Sequence, residues 1–149
     1  MARINATIIN TLVWGGRLDT IQAAILLAKL PHYKAEIKMR QKVARAYTKD
    51  LGDSLIKPRT KEERTSVWAQ YTVRVKNRGQ IQEKLKKSGI PTAVHYPMPL
   101  HLQECFQYLG YQKGNFLISE LVSNEVMSLP MNPFLTEEEI SAVSQSIHV

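Results

Sequence analysis

His95, Tyr96 and His101 share one short run with Pro97 and Pro99, in Thr92-Ala93-Val94-His95-Tyr96-Pro97-Met98-Pro99-Leu100-His101. Imidazole and phenol groups both donate and accept hydrogen bonds. Each proline fixes its own φ and pushes the residue before it toward extended geometry, so the chain after His95 is stiff and not helical. A stiff loop carrying His, Tyr and His suits the wall of a binding site, where side chains must be held in place. The same residues also fit a strand end with a proline-locked turn, whose rings pack or face water.

Other candidate groups carry less chemistry. The single cysteine, Cys105, excludes an intramolecular disulfide and a cysteine-rich metal site. A nucleophilic thiol needs a positioned base, and His101 lies one turn earlier; a small buried residue on a helix is the preferred reading of Cys105. His32, His95, His101 and His148 show no zinc spacing, so no metal ligand is assigned. No Gly-rich phosphate loop follows a strand, and no serine sits on a nucleophile elbow. Gly15-Gly16-Arg17 precedes a helix start, where phosphate is favoured, but Asp19 as the cap would repel an anion. Glu137, Glu138 and Glu139 suit a first helical turn and need no catalytic role.

A chain of 149 residues fits one domain, and 44% hydrophobic with 22% charged residues is ordinary for a soluble protein. No apolar run is long enough to span a bilayer, and residues 1–10 make a poor signal peptide. A soluble cytoplasmic protein without a membrane partner is expected. The formal charge is +7, with basic clusters at 34–45, 57–64, 74–78 and 84–87. Glu36, Glu62, Glu63 and Glu83 interrupt them, and no aromatic residues interleave as stacking platforms. Solvated faces are therefore expected rather than a nucleic-acid surface, although a basic surface favours anionic small molecules or acidic partners.

These residues need a frame. Asp19-Thr20-Ile21-Gln22 reads as a helix start, with Leu18, Ile21, Ile25 and Ala28 on one face. Pro31 ends or kinks this helix, and a second runs to about Leu51, where Gly52 stops it. Its stripe is Tyr33, Ile37, Met39 or Arg40, Ala44, Tyr47 and Leu51. Val67, Ala69, Tyr71, Val73 and Val75 alternate with polar residues, as in a strand with one buried face. A helix follows Asn77-Arg78-Gly79-Gln80, with Ile81, Leu85 and Ile90 inward and Gly89 closing it. A second strand is expected at 92–96, helices at 101–109 and 115–124, and a short strand at 127–130. Thr136-Glu137-Glu138-Glu139 is a capping box opening a last helix with Ile140, Val143 and Ile147 on its apolar face. Three or four strands among so many helices predict an α+β two-layer sandwich. Its small sheet is mostly antiparallel or mixed, with helices on one face.

Five segments together resemble one family. They are Arg17-Leu18-Asp19-Thr20-Ile21-Gln22-Ala23-Ala24-Ile25-Leu26, Val67-Trp68-Ala69-Gln70-Tyr71-Thr72-Val73, Gly89-Ile90-Pro91-Thr92, His95-Tyr96-Pro97-Met98-Pro99-Leu100-His101, and Ser128-Leu129-Pro130-Met131-Asn132-Pro133-Phe134-Leu135-Thr136. In this order the set resembles the small C-terminal domain of DegT/DnrJ/StrS-type nucleotide-sugar aminotransferases, although the family often has histidine in place of Asn132. The resemblance implies residues 17–149 as that domain and residues 1–16 as a lead without family match. It also implies a fold-type I enzyme using pyridoxal 5′-phosphate (PLP), with active sites at a dimer interface. Such enzymes move an amino group, usually from glutamate, onto a keto-sugar attached to a nucleotide.

Two departures follow from the same comparison. The family's large domain is missing, and with it the Schiff-base lysine and the acid that pairs with the pyridine nitrogen. Lys84, Lys86 and Lys87 on an exposed helix are no substitute, because a Schiff-base amine must be desolvated to be nucleophilic near neutral pH. Gly15 or Gly16 stands where the family commonly has an asparagine that reaches the partner subunit's cofactor phosphate. The expectation is a fragment: a truncated gene, a late start or a cut piece. It would bind no PLP itself, hold no catalytic residue and be inactive alone. Arg17, His95, Tyr96 and His101 remain as substrate- or cofactor-proximal candidates, with Arg17 also open to an ion pair with Asp19 or Asp53. The alternative is a binding module that pairs with itself or with a large-domain partner through residues 19–51, where the apolar run 21–30 is longer than one face needs.

Overall fold

The computed structural model describes residues 16–53 and 55–147. The lead at 1–15 and His148 lie outside the described residues. Helix α1 (Thr20–Lys29) runs through a 3-10 turn at Leu30–His32 into α2 (Tyr33–Asp50). Strand β1 (Tyr71–Arg74), α3 (Arg78–Lys87), 3-10 turns at Leu100–Leu102 and Glu104–Leu109, α4 (Leu117–Glu125), β2 (Val126–Leu129) and α5 (Glu137–Ile147) follow.

The sheet is antiparallel, with Tyr71 opposite Leu129 and Val73 opposite Met127. Alternation puts these four side chains on one face. There they meet Val43, Ala44 and Tyr47 of α2, Leu85 of α3, and Ile140, Val143 and Ile147 of α5. This is the expected two-layer α+β arrangement, with helices against one face. Tyr47 anchors it: its ring lies 5.2 Å from that of Tyr71, and its hydroxyl donates to the Pro130 carbonyl at 2.9 Å. On the opposite face Thr72 and Ser128 hydroxyls meet at 2.8 Å. The Thr136 box forms as read: Glu139 N–H donates to Thr136 Oγ1 at 3.2 Å, and Thr136 N–H to Glu139 Oε2 at 2.9 Å.

Four expectations are corrected. The first strand starts only at Tyr71, because Trp68 takes a positive φ of 50° and its carbonyl accepts from Arg40 Nη1 at 3.0 Å rather than from a ladder partner. The strand at 92–96 shrinks to one bridge, Ala93 to Ser128, before the chain reaches Pro97 and Pro99, which have no N–H to donate. Among the described residues two strands therefore replace the three or four expected, and Ile56 and Ala93 cover their outer edges by single bridges. The helix at 101–109 is two 3-10 turns, broken at Gln103, whose backbone is extended and whose side chain is buried. Finally, α1 buries no residue, and of the predicted α2 stripe Tyr33 and Met39 stay exposed while Ala44, Tyr47 and Leu51 are buried, together with Val43, which the stripe did not include.

Candidate functional site

The proline-stiffened loop leaves the sheet after Ala93 and runs beside α4, and a cleft of about 610 Å³ opens between them. His95, Tyr96, Met98, His101, Phe116 and Ser119 are among its lining residues. The rings of His95 and Tyr96 stand nearly perpendicular, with centroids 5.8 Å apart. Both side chains are exposed, whereas His101 is buried. The structure thus brings together three of the four residues singled out from sequence. Arg17 is exposed ahead of α1, forms no ion pair among the described residues and does not line this cleft.

His101 is fixed from two sides. Its Nε2 lies 3.0 Å from Glu120 Oε1, and its ring packs on Phe116 at 4.8 Å. Tyr111 meets Phe116 edge-on at 5.0 Å, closing the aromatic cluster. Glu120 Oε1 also accepts from the backbone N–H of Gly114 at 2.8 Å and of Phe116 at 3.4 Å. The Gly114 N–H, then the His101 and Phe116 contacts, hold the Glu120 carboxyl below its ordinary value, and desolvation opposes them.

Two arginines hold α4 in place. Arg74 of β1 pairs with Glu125 at 2.7 Å, and Arg78 Nη1 donates to the carbonyls of Ser123 and Val126 near the helix C-terminus. Cations favour that end of a helix. Glu120, Phe116 and Ser119 were not readable as site residues from sequence. Glu120 is separated from His101 by 19 positions, which matches no motif spacing. The one local signal is an acid in the first turn of α4, accepting from the N–H of Phe116 four residues earlier. Cys105 sits half-buried on a 3-10 turn, and His101 Nε2 faces Glu120 instead of the thiol.

Among the described residues the lining is mainly apolar and contains no lysine or arginine. It suits an uncharged group with apolar faces, oriented by a few hydrogen bonds, rather than a phosphate. A covalently held PLP does not fit these residues. All lysines of the chain lie among the described residues and all are exposed except the half-buried Lys57, whose Nζ donates to the Leu51 carbonyl at 2.9 Å and pairs with Asp53, so none offers a desolvated, unpaired amine for Schiff-base chemistry. Among the described residues no cluster of three His, Cys, Asp or Glu is placed to hold a metal, and no helix is long and apolar enough to cross a membrane.

A sequence model of the DegT/DnrJ/EryC1/StrS aminotransferase family matches residues 4–148, beginning ahead of the motifs at Arg17. The chain is 42% identical to a "Pleiotropic regulatory protein" of Geobacillus stearothermophilus, over 93% of its length and 38% of that protein's. It is 43% identical to the UDP-2-acetamido-2-deoxy-3-oxo-D-glucuronate aminotransferase of Pseudomonas aeruginosa, over 88% of its length and 36% of that enzyme's. A DegT/DnrJ/EryC1/StrS aminotransferase from Brucella abortus superposes with a TM-score of 0.79 at 38% identity, covering 88% of this chain and 35% of the other. DesV of S. venezuelae, solved in complex with a ketimine intermediate, gives 0.81 at 30% identity, covering 89% of this chain and 38% of that one. The chain therefore spans little more than a third of the relatives it matches.

Proposed function

Because the chain belongs to the DegT/DnrJ/EryC1/StrS aminotransferase family, we propose that it is the small C-terminal domain of a cytoplasmic PLP-dependent enzyme. That enzyme moves an amino group from glutamate onto a keto-sugar linked to a nucleotide. The observation that carries this reading is the cleft: a proline-stiffened wall bearing His95, Tyr96 and His101, without lysine or arginine among the described residues, beside an aromatic cluster. Such a wall binds the sugar end of the substrate, where apolar ring faces and hydroxyls alternate, and leaves the diphosphate to groups elsewhere in the whole enzyme.

In this reading the chain orients substrate and carries no reaction step. Bound PLP would act as the electron sink for amino transfer, and the lysine that tethers it belongs to the part of the enzyme beyond these 149 residues. The chain alone is inactive. Incubation with PLP, L-glutamate and a UDP-linked 3-keto-sugar is expected to yield no 2-oxoglutarate, while UDP-N-acetylglucosamine shifts backbone amide resonances around 95–101 and 116–123. Turnover would refute the inactivity, and amide shifts confined to other surfaces would refute the cleft.

A second reading concerns α1. Leu26, Leu27, Leu30 and Tyr33 line an open groove of about 700 Å³ between α1 and α2. The matched relatives are nearly three times as long as the segment they share with this chain, so the groove is assigned to docking against the remaining large domain. Light scattering that shows a stable dimer of the 149-residue chain, lost in Leu27→Glu, would assign the groove to a second copy instead.

A further inference from the structure

The contact between His101 and Glu120 fixes where the imidazole carries its proton. Glu120 Oε1 accepts from two backbone N–H groups besides facing His101 Nε2. Those donors keep the carboxyl below its ordinary range, so near neutral pH it is ionised and can only accept. A carboxylate oxygen 3.0 Å from Nε2 requires the proton to be on Nε2. In the neutral ring that leaves Nδ1 bare, as a hydrogen-bond acceptor.

Nδ1 has no protein partner among the described residues. It is not sealed either, since Ser144 Oγ is the only fully buried side-chain nitrogen or oxygen without a partner among them. His101 lines the cleft, Nε2 is occupied and the ring is braced by Phe116. The nitrogen left for a ligand is the one with a lone pair.

We propose that Glu120 is a positioning residue that holds His101 as the Nε2–H tautomer, so that Nδ1 accepts a hydrogen bond from an O–H or N–H of the ligand in the cleft. A carboxylate that orients an imidazole through one nitrogen to set the other is a recurring arrangement in binding and catalytic sites. The contact is selective by chemistry. A sugar hydroxyl or acetamido N–H can donate to Nδ1, whereas a phosphate or carboxylate oxygen would meet a lone pair with its own. The tautomer stands on the contact with the Glu120 carboxylate, and the sugar as ligand rests on the aminotransferase reading.

The test uses the full 149-residue chain, labelled with 15N-histidine, at about pH 8. Two-bond proton–nitrogen spectra are expected to show His101 as the Nε2–H tautomer, with Nδ1 moving when UDP-N-acetylglucosamine is added. Glu120→Gln is expected to mix the tautomers and weaken the probe about tenfold, the scale of one lost charge-assisted hydrogen bond. Glu120→Asp, which keeps the carboxylate, recovers part of both signals. An Nδ1–H or doubly protonated ring in the unsubstituted chain overturns the proposal, whatever the variants do. A probe that shifts cleft amides but leaves Nδ1 unmoved overturns the acceptor role. A probe that moves no cleft amide overturns the nucleotide-sugar reading, and with it the ligand contact, while the tautomer is read separately.

Discussion

Helix α5 sets Ile140, Val143 and Ile147 against the sheet at 3–4% exposure, whereas α1 leaves Ile21, Ile25 and Leu26 at 55–75%. Both helices start from side-chain caps. Asp19 Oδ1 accepts from Gln22 N–H at 2.8 Å, as Thr136 Oγ1 accepts from Glu139 N–H. Both carry an apolar stripe. Local signals therefore do not separate them; the availability of a partner surface within the chain does. Burying one such side chain is worth about 1.5–3 kcal/mol, and a helix of ten residues without burial is marginal in water. α1 is held by its continuation through Leu30–His32 into α2, whose first half buries no residue while its second half carries Val43, Ala44 and Tyr47 into the core.

The contrast is sharpest under truncation. Ile140→Ala is expected to cost about 2–5 kcal/mol in urea unfolding, because it leaves a cavity against β1 and β2. Ile25→Ala is expected to stay within about 0.5 kcal/mol, since its side chain already faces water. Equal losses would break the comparison and show α1 to be part of the cooperative core.

The caps give a smaller version of the same test. Thr136→Ala is expected to cost about 1 kcal/mol of global stability, whereas Asp19→Ala lowers helicity at 20–29 without moving the urea midpoint. Circular dichroism alongside amide exchange separates the two outcomes.

Titration discriminates more gently. Burial first, then Glu139 and Tyr71, pushes the Tyr47 phenol up, and burial raises Tyr71 against the hydrogen bond it shares with Thr48. The fold favours the neutral phenols, so their contribution is intact below the ordinary tyrosine value of about 10 and is lost as pH rises beyond it. Alkaline titration should therefore release amide protection in α5 and the second half of α2 together, with no change in α1. Glu120 runs the other way. Its lowered pKa means that its contribution is present above the ordinary carboxylate value and is lost as pH falls through the folded one. The Gly114 amide resonance is expected to stay put through the usual glutamate range and to move only below it.

Much of the frame was legible because local pattern and tertiary outcome agree. Thr136 to Glu139 formed their box, and Tyr71, Val73 and Val75 buried the face that their alternation named. The pattern failed at Val67 and Ala69 because the left-handed turn at Trp68 and the Arg40 contact are not written in a period of two. Periodicity found the stripe of α1 but could not say whether its partner lies within the chain. At the site, the prolines announced a stiff wall at His95 and Tyr96. Glu120 stayed hidden because its link to His101 is made across the fold, between a 3-10 turn and the first turn of α4.

In the proposed function this chain supplies a substrate wall and holds no amine that anchors the cofactor. Borohydride reduction after incubation with PLP, followed by peptide mass spectrometry, tests it most directly. Only scattered, substoichiometric pyridoxyl adducts are expected, on exposed lysines such as Lys84, Lys86 and Lys87. One lysine labelled to completion and protected from competing aldehydes would contradict it.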